Sequence, residues 1–297
     1  MSGTRAAAGD AGPLAIDEVY PAREAGIGVR FLEVRDGLRL RVLESGPPGG
    51  PPVVLFHGWG ASVYSYRDAI PALAAAGRRV VAVDLPGHGL SDKPPDLEWY
   101  TRPAMTATAG ALLEALDVRG ATVVGVSMGG GIAAGLAVAG HARVRRVALV
   151  NPVGFSPVRF TSVAQLLAPL AMRDYAAHLV ARPLVGWFLR LAYWDASRVT
   201  ERDVDEYWSL AARPGYAPSL VACLHQFSWA PFAPDELARV AVPVLLIVGT
   251  HDHLISGSEA RARAIPRLQV LAVEGGHAVN EERPDAVNAA LLEFARE

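Results

Sequence analysis

Residues 125–129 read Gly125-Val126-Ser127-Met128-Gly129 and carry more structural information than any other stretch of the chain. An apolar run precedes Ser127, and the residues after it, 128–139, are mostly small and apolar. A serine between two glycines at such a junction indicates a sharp turn from a strand into a helix. Strain at the central residue projects its hydroxyl beyond the carboxyl edge of the sheet, and glycine neighbours keep the turn free of bulk. The pentapeptide therefore predicts a nucleophilic serine at that edge.

Strand-like and helix-like segments alternate on both sides of this turn. The predicted strands are 29–34, 38–44, 53–56, 80–83, 121–126, 147–150, 244–248 and 268–273. The predicted helices of the alternating part are 63–76, 103–116, 128–139, 258–264 and 279–296. The first two strands flank Asp36-Gly37, which is a strong hairpin signal. This alternation predicts an α/β fold with a mostly parallel sheet and helices on both faces.

The alternation is interrupted between residues 152 and 236, which are interpreted as a helical insertion. The insertion is rich in aromatic residues, among them Phe155, Phe160, Trp187, Phe188, Tyr193, Trp194, Tyr207, Trp208, Phe227 and Trp229. Most of them are expected to pack in a core, and a few to line an apolar substrate pocket. Residues 1–25 lack sustained periodicity and are expected to form a flexible arm. The rest of the chain, 26–151 and 237–297, is the predicted α/β core.

The composition of the 297 residues excludes several chemistries. Cys223 is the only cysteine, which excludes an intrachain disulfide and a CxxC metal knuckle. Lys93 is the only lysine and lies in a turn-like Asp-Lys-Pro-Pro stretch, which argues against Schiff-base chemistry. A formal net charge of −2 argues against nucleic acid as the main partner. We expect a small-molecule substrate, no cofactor and no metal, and a monomer or homodimer.

One stretch, residues 120–140, is long enough for a membrane span and carries no charged side chain. Seven of its residues are glycine, which fits a strand, a sharp turn and a small-residue helix better. The first residues have no apolar segment typical of an export signal. The expectation is therefore a cytoplasmic protein without a membrane span.

A serine hydroxyl needs a base to remove its proton and a third group to orient that base. The order expected for this kind of turn is serine, then an acid, then histidine. Asp252 follows the predicted strand 244–248 and His277 follows 268–273, so both lie on the same sheet edge as Ser127. Among the other histidines, two precede the nucleophile and two flank Asp252 too closely; these are His57, His88, His251 and His253. Ser127, Asp252 and His277 are thus the predicted triad.

Acyl transfer places negative charge on the carbonyl oxygen, which two preset backbone N–H groups can stabilise. One donor is expected from Met128, the residue after the nucleophile. The other is expected from the loop after strand 53–56, which reads His57-Gly58-Trp59-Gly60. Trp59 is the predicted donor of that loop.

Together these motifs resemble the α/β-hydrolase superfamily, from about residue 29 to 297. The matching segments are 57–60, Asp84-Leu85-Pro86-Gly87-His88-Gly89-Leu90-Ser91-Asp92, the Ser127 turn, Asp252 and His277. The resemblance implies an eight-stranded sheet, a helical lid at 152–236 after the sixth strand, and an acyl-enzyme mechanism without a cofactor. The stretch 84–92 also has a structural interpretation, in which Asp84 holds a tight turn through backbone hydrogen bonds.

At several positions the chain differs from particular subfamilies of this superfamily, and these differences favour some subfamilies over others. Haloalkane dehalogenases and epoxide hydrolases of the fold carry aspartate where this chain has Ser127. Some members carry the acid after the sixth strand, where this chain has Asn151, so Asp252 keeps that role. Carbon–carbon hydrolases usually have an oxyanion loop richer in Gly and Pro. A dinucleotide fingerprint beginning at Gly58 is also conceivable, with Asp84 as its acid, but Val63 occupies the position that must be small.

The sequence therefore predicts a hydrolase of carboxylic esters or lactones with a small to medium, largely apolar substrate. Three alternatives use the same triad: carbon–carbon hydrolysis, thioester hydrolysis and cofactor-free haloperoxidation or perhydrolysis. A fourth alternative is a small-molecule receptor of the same fold that turns over slowly.

Overall fold

A computed structural model describes residues 12–22, 24–158 and 161–296. Its centre is an eight-stranded sheet with the order β1-β2-β4-β3-β5-β6-β7-β8. The strands are β1 (Ile27–Arg35), β2 (Leu38–Ser45), β3 (Pro52–Phe56), β4 (Arg79–Val83), β5 (Ala121–Val126), β6 (Val144–Val150), β7 (Val244–Gly249) and β8 (Leu268–Val273). β2 pairs antiparallel with β1 and β4, and the other neighbours are parallel. The predicted fold class is confirmed.

Helices cover both faces of the sheet and fill the insertion. They are α1 (Ala69–Ala75), α2 (Arg102–Ala115), α3 (Met128–Val138), α4 (Thr161–Leu167), α5 (Arg182–Ala192), α6 (Glu201–Ala211), α7 (Tyr216–Gln226), α8 (Pro234–Ala238), α9 (Ser258–Ala262), α10 (Val279–Glu282) and α11 (Pro284–Arg296). Short 3-10 segments lie at Val63–Tyr66, Leu97–Tyr100, Leu170–Leu179 and Ala196–Arg198. The helix predicted at 279–296 is divided, because Pro284 lacks the N–H that a continuous helix needs.

The central strands are buried on both faces, which explains their uninterrupted apolar sequences. Successive side chains alternate between two apolar layers. Val54 and Val123 belong to the layer that includes side chains of α2 and α3. Val53 and Val124 belong to the layer that includes side chains of α1 and α11. The uncharged stretch 120–140 is divided between β5 and α3, and the described residues contain no helix long and apolar enough to cross a membrane.

The N-terminal segment differs from the expected flexible arm where it is described. Val19 and Tyr20 are buried. The Tyr20 N–H donates to Glu206 Oε1 at 3.0 Å, and the Leu14 N–H donates to Ser209 Oγ at 2.7 Å. Both acceptors lie on α6 of the insertion, far away in sequence, so local periodicity could not indicate this packing. Residues 1–11 lie outside the described part of the chain.

The aromatic residues of the insertion are only partly buried, in contrast to the expectation that most form a core. Phe155, Tyr193 and Phe227 are buried, and Phe160 lies outside the described residues. Three aromatic side chains on α5 or shortly after it are exposed instead, namely Trp187 (57%), Phe188 (55%) and Trp194 (42%). The reason is that α5 packs against α6 through a narrow face that includes Gly186 and Leu189.

Candidate active site

Ser127 lies at the tip of the turn between β5 and α3. Its backbone has φ +53° and ψ −115°, a conformation that is strained for a residue with a side chain. A Cβ atom at Gly125 would lie 2.2 Å from the Gly129 carbonyl oxygen, and one at Gly129 would lie 2.1 Å from the Phe56 carbonyl oxygen. The two glycines of the motif are therefore required by close backbone contacts.

The structure brings Ser127, His277 and Asp252 together at the carboxyl ends of β5, β8 and β7. His277 Nε2 lies 3.0 Å from Ser127 Oγ, and His277 Nδ1 lies 2.8 Å from Asp252 Oδ2. The side chains of Asp252 and His277 are 2% and 13% exposed. In this chain of contacts the imidazole can accept the serine proton at Nε2 while Nδ1–H donates to the carboxylate.

The carboxylate of Asp252 is held in one orientation by its own loop. Its Oδ1 accepts the backbone N–H groups of Leu254 at 2.8 Å and Ile255 at 2.9 Å. Oδ2 is thereby left facing His277. Backbone N–H groups thus orient the Asp252 carboxylate towards the imidazole. These contacts involve no positively charged side chain.

The two predicted oxyanion donors flank Ser127. Met128 is the first residue of α3, and N–H groups in the first turn of a helix have no partner within the helix. Trp59 belongs to the loop after β3, where a Cβ atom at the neighbouring Gly58 would lie 3.2 Å from Ser127 Cβ. The loop and the turn are therefore in close contact, and the roles of the Trp59 and Met128 N–H groups as oxyanion donors stay predictions.

Helix α7 braces both elements from the insertion side. The indole Nε1–H of Trp59 donates to the Leu220 carbonyl oxygen at 3.1 Å, and the Tyr216 hydroxyl donates to the Gly60 carbonyl oxygen at 3.0 Å. Cys223 Sγ lies 3.4 Å from Met128 Sδ. These contacts could not be predicted from local sequence patterns, because more than 90 residues separate the partners.

Asn151, at the end of β6, is a second residue whose role sequence reasoning missed. Its Oδ1 accepts the Gly249 N–H at 2.8 Å. Its Nδ2 donates to the carbonyl oxygens of Gly276 and His277 at 3.0 and 2.8 Å. The sequence showed only that no acid stands here. The structure shows an amide that ties the end of β7 to the loop of His277.

Two of the competing histidines, His57 and His251, are engaged in other contacts. His57 is fully buried, and its Nε2 accepts the Leu85 N–H at 3.0 Å while Nδ1 faces the Gly58 carbonyl oxygen at 2.8 Å. Burial lowers the pKa of His57 despite the nearby Asp84. The imidazole of His251 stacks on Trp194, with ring centroids 4.0 Å apart.

Asp84 acts as a buried structural hub. Its carboxylate accepts the N–H groups of Val63 and Leu90, each at 2.8 Å, and lies 3.3 Å from Arg41. Burial alone would raise the pKa of Asp84, but Arg41, His57 and these hydrogen bonds hold it below its usual value. The side chain is 0% exposed, so it cannot contact the ribose of a dinucleotide. The structural interpretation of this stretch is thus confirmed, and the dinucleotide interpretation is wrong.

His88 should make the protein sensitive to mild acid. Burial lowers its pKa to about 3, whereas an unfolded histidine has a pKa near 6.5. Between these values the unfolded chain binds the extra proton, so stability falls as pH decreases from 6.5 towards 3. We expect this residue to remove about 2 kcal/mol from the free energy of unfolding between pH 8 and pH 5.

The check is urea denaturation at both pH values for wild type, His88→Phe and His253→Asn. His88→Phe should lower stability at pH 8, because the Pro86 carbonyl loses a partner 2.9 Å away, but should flatten the pH dependence. The exposed His253 serves as the control and should leave the dependence as in wild type. An equal pH dependence in all three proteins would contradict the assignment to His88.

Comparison with known proteins identifies the family of this chain. A family model described as the alpha/beta hydrolase fold matches residues 51–284. The chain belongs to the alpha/beta hydrolase family. A relative named magnesium-chelatase 30 kDa subunit, from Rhodobacter capsulatus, is 32% identical over 262 residues, covering 85% of this chain and 89% of the relative.

Other alpha/beta hydrolase relatives carry peroxidase names. A non-heme chloroperoxidase from Streptomyces lividans is 31% identical over 280 residues, covering 88% of this chain and 97% of the relative. The crystal structure of a bromoperoxidase from Bacillus anthracis superimposes with a TM-score of 0.77 at 25% identity, covering 91% of this chain and 100% of that one. The family and fold implied by the sequence motifs are thereby confirmed, while the names of the relatives span more than one chemistry.

Proposed function

We propose that this alpha/beta hydrolase cleaves a carboxylic ester or lactone of a small to medium, largely apolar substrate through an acyl-enzyme. The observation that carries the proposal is the contact chain of 3.0 Å from Ser127 Oγ to His277 Nε2 and 2.8 Å from His277 Nδ1 to Asp252 Oδ2. A serine hydroxyl is activated by a base at such a distance, and the base is oriented by the acid.

The proposed reaction has two halves. Ser127 Oγ attacks the carbonyl carbon while its proton moves to His277 Nε2, and the C–O bond to the leaving alcohol breaks as Nε2 returns the proton to that oxygen. Water then attacks the acyl-enzyme, with His277 again accepting and returning one proton, and releases the carboxylic acid. Asp252 holds the ring and stabilises its charged form. The backbone N–H groups of Met128 and Trp59 stabilise the oxyanion in both halves.

The identity of the nucleophile favours carbonyl chemistry. Opening an epoxide or displacing a halide suits a carboxylate nucleophile, which forms an ester that water can hydrolyse. Ser127 would form an ether in such a displacement, and hydroxide cannot release an ether readily. The proposal therefore places the substrate among compounds with an electrophilic carbonyl carbon.

A second candidate function is perhydrolysis, and the similarity to the chloroperoxidase and bromoperoxidase relatives favours it. In this reaction Ser127 is acylated by a carboxylic acid with loss of water, and hydrogen peroxide replaces water in the second half. The product is a peracid, which oxidises halide ions in solution. Bromide oxidation that requires both acetate and peroxide would identify this activity in the same protein.

Labelling with a fluorophosphonate tests the proposal, because the probe reacts with activated serines. Wild type should gain the mass of one probe and should turn over p-nitrophenyl esters, and Ser127→Ala should lose both. Ser156→Ala, another buried serine, is the control and should be labelled as wild type is. A wild type that is not labelled, or a Ser127→Ala variant that still turns over esters, would overturn the proposal. Labelling without turnover of any ester would favour the receptor alternative.

A further inference from the structure

A single buried carboxylate connects the loop of the base to the insertion. Glu282, the last residue of α10, is 1% exposed. Its Oε2 accepts the Gly276 N–H at 2.7 Å and the Trp194 N–H at 3.1 Å, and its Oε1 accepts the Asp195 N–H at 2.8 Å. Gly276 directly precedes His277, and Trp194 and Asp195 belong to the insertion. One side chain therefore holds two segments that are distant in sequence.

The two segments are in direct contact around His277. A Cβ atom at Gly276 would lie 2.4 Å from the Trp194 nitrogen, so only glycine fits between them. On the other side of the base, the Ala278 N–H donates to the Ala192 carbonyl oxygen at 3.0 Å. The segment 192–195 thus fixes the backbone immediately before and after the imidazole. The insertion is part of the scaffold of the base as well as a cover for the sheet edge.

The chemistry of the contact requires a carboxylate. Glu282 receives three N–H donors on two oxygens, and hydrogen bonds to a charged acceptor are stronger than those between neutral groups. The arginines nearby, Arg198 and Arg283, donate to the backbone carbonyl of Glu282 and leave its carboxylate to the N–H groups. A glutamine can keep the Gly276 and Trp194 N–H groups on its single oxygen and would turn its NH₂ group against the Asp195 N–H alone. A methionine has a similar length and no oxygen, so it removes all three contacts.

We propose that Glu282 is a positioning residue for His277 and that it couples the seating of the insertion to the geometry of the base. The inference rests on the proposed function, since it assigns Glu282 a role in that reaction. It acts from one side of the loop through the Gly276 N–H, and Asn151 acts from the other side through the Gly276 and His277 carbonyl oxygens. Loss of the carboxylate should leave the substrate site in place and let the imidazole move.

The neighbouring residue Glu281 offers a matched control. Its carboxylate accepts from Tyr207 at 2.7 Å and pairs with Arg67 at 2.6 Å, so it also ties the insertion to the core. None of its described hydrogen bonds or ion pairs involves residues 275–277. Glu281→Met and Glu282→Met therefore both weaken the seating of the insertion, but only the second removes a contact to the loop of the base.

The experiment compares the two variants at a temperature well below both melting points. For Glu282→Met we expect kcat on p-nitrophenyl butyrate to fall on the order of 10- to 100-fold with little change in KM, because a small displacement of the base is costly. The second-order rate of fluorophosphonate labelling should fall to a similar extent. The downfield proton resonance of the His277–Asp252 hydrogen bond should shift or broaden. Glu281→Met should keep kcat within a few-fold of wild type and should keep the resonance.

The outcomes separate this inference from the proposed function. If wild type is labelled and Glu282→Met is labelled at the same rate with an unchanged resonance, Glu282 has no positioning role. Equal losses in both variants would show that loosening the insertion is sufficient, which also overturns the specific role of Glu282. A wild type that does not react with the probe would instead contradict the proposed function itself.

Discussion

Replacing Asp252 by asparagine should lower ester turnover by about 10⁴-fold while the protein stays folded. The asparagine Oδ1 can still accept the N–H groups of Leu254 and Ile255, which Asp252 accepts at 2.8 and 2.9 Å. These two hydrogen bonds prevent the side-chain amide from flipping by 180°, since the flipped orientation would place its NH₂ group against two N–H donors. The NH₂ group must therefore face His277.

The consequence is a change of tautomer in the imidazole. An NH₂ group facing Nδ1 requires an acceptor there, so the ring proton moves to Nε2. Nε2 lies 3.0 Å from Ser127 Oγ and can then no longer accept the serine proton. The variant keeps the shape of the site and loses its base, which is why a nearly isosteric change should have so large an effect.

The measurement is steady-state turnover of a p-nitrophenyl ester, together with circular dichroism and a melting curve. His253→Asn, an exposed histidine on the same loop, is the control for disturbance of the loop and should retain turnover. A decrease of less than tenfold in Asp252→Asn, with the fold intact, would show that the acid is not essential to the base. Either the reaction or the assignment of the acid would then be wrong.

The sequence predicted the elements that depend on local patterns. Short runs of neighbouring residues indicate the strands that precede the three triad residues. The same kind of local pattern indicates the Asp36-Gly37 hairpin and the turn at Ser127. Their agreement with the structure reflects the alternation of buried strands and helices in an α/β fold. The helix predicted at 63–76 is divided into a 3-10 segment and α1, which is a difference of boundary within the correct region.

The supports of the site could not be predicted in the same way. Glu282 and Asn151 bind backbone groups of a loop. Because nearly every residue type has the same backbone groups, the residue type of the partner does not indicate such a contact. The contacts of α7 with Trp59 and Met128 depend on how the insertion folds back onto the sheet. A sequence pattern therefore indicates which residues do the chemistry more readily than which residues hold them in place.

The largest effect on stability is expected from Gly129→Ala, a change of one methyl group. The added Cβ would lie 2.1 Å from the Phe56 carbonyl oxygen and 2.6 Å from that of His57. Both contacts are to backbone at the end of β3, so relief requires α3 to move away from the sheet. We expect a loss of about 4 kcal/mol or more, a size found only for severe changes in packing. The whole free energy of unfolding of a protein is roughly 5–15 kcal/mol, so a loss of this size can abolish the cooperative unfolding transition.

Gly131→Ala in the same helix separates packing from helix propensity. Its Cβ would lie 3.2 Å from the Val153 carbonyl oxygen, which a small shift can relieve. Both variants replace glycine by alanine within α3 and gain the same intrinsic helix stability, up to about 1 kcal/mol. Because a small shift relieves the contact at Gly131, the difference between the two variants in urea denaturation reports the contact of Gly129 with β3. Similar free energies of unfolding for the two variants would mean that α3 and β3 are not packed as closely as the 2.1 Å contact indicates. The second glycine of the motif would then not be required by close packing of α3 against β3. The strained backbone of Ser127 would in that case be a property of the turn itself.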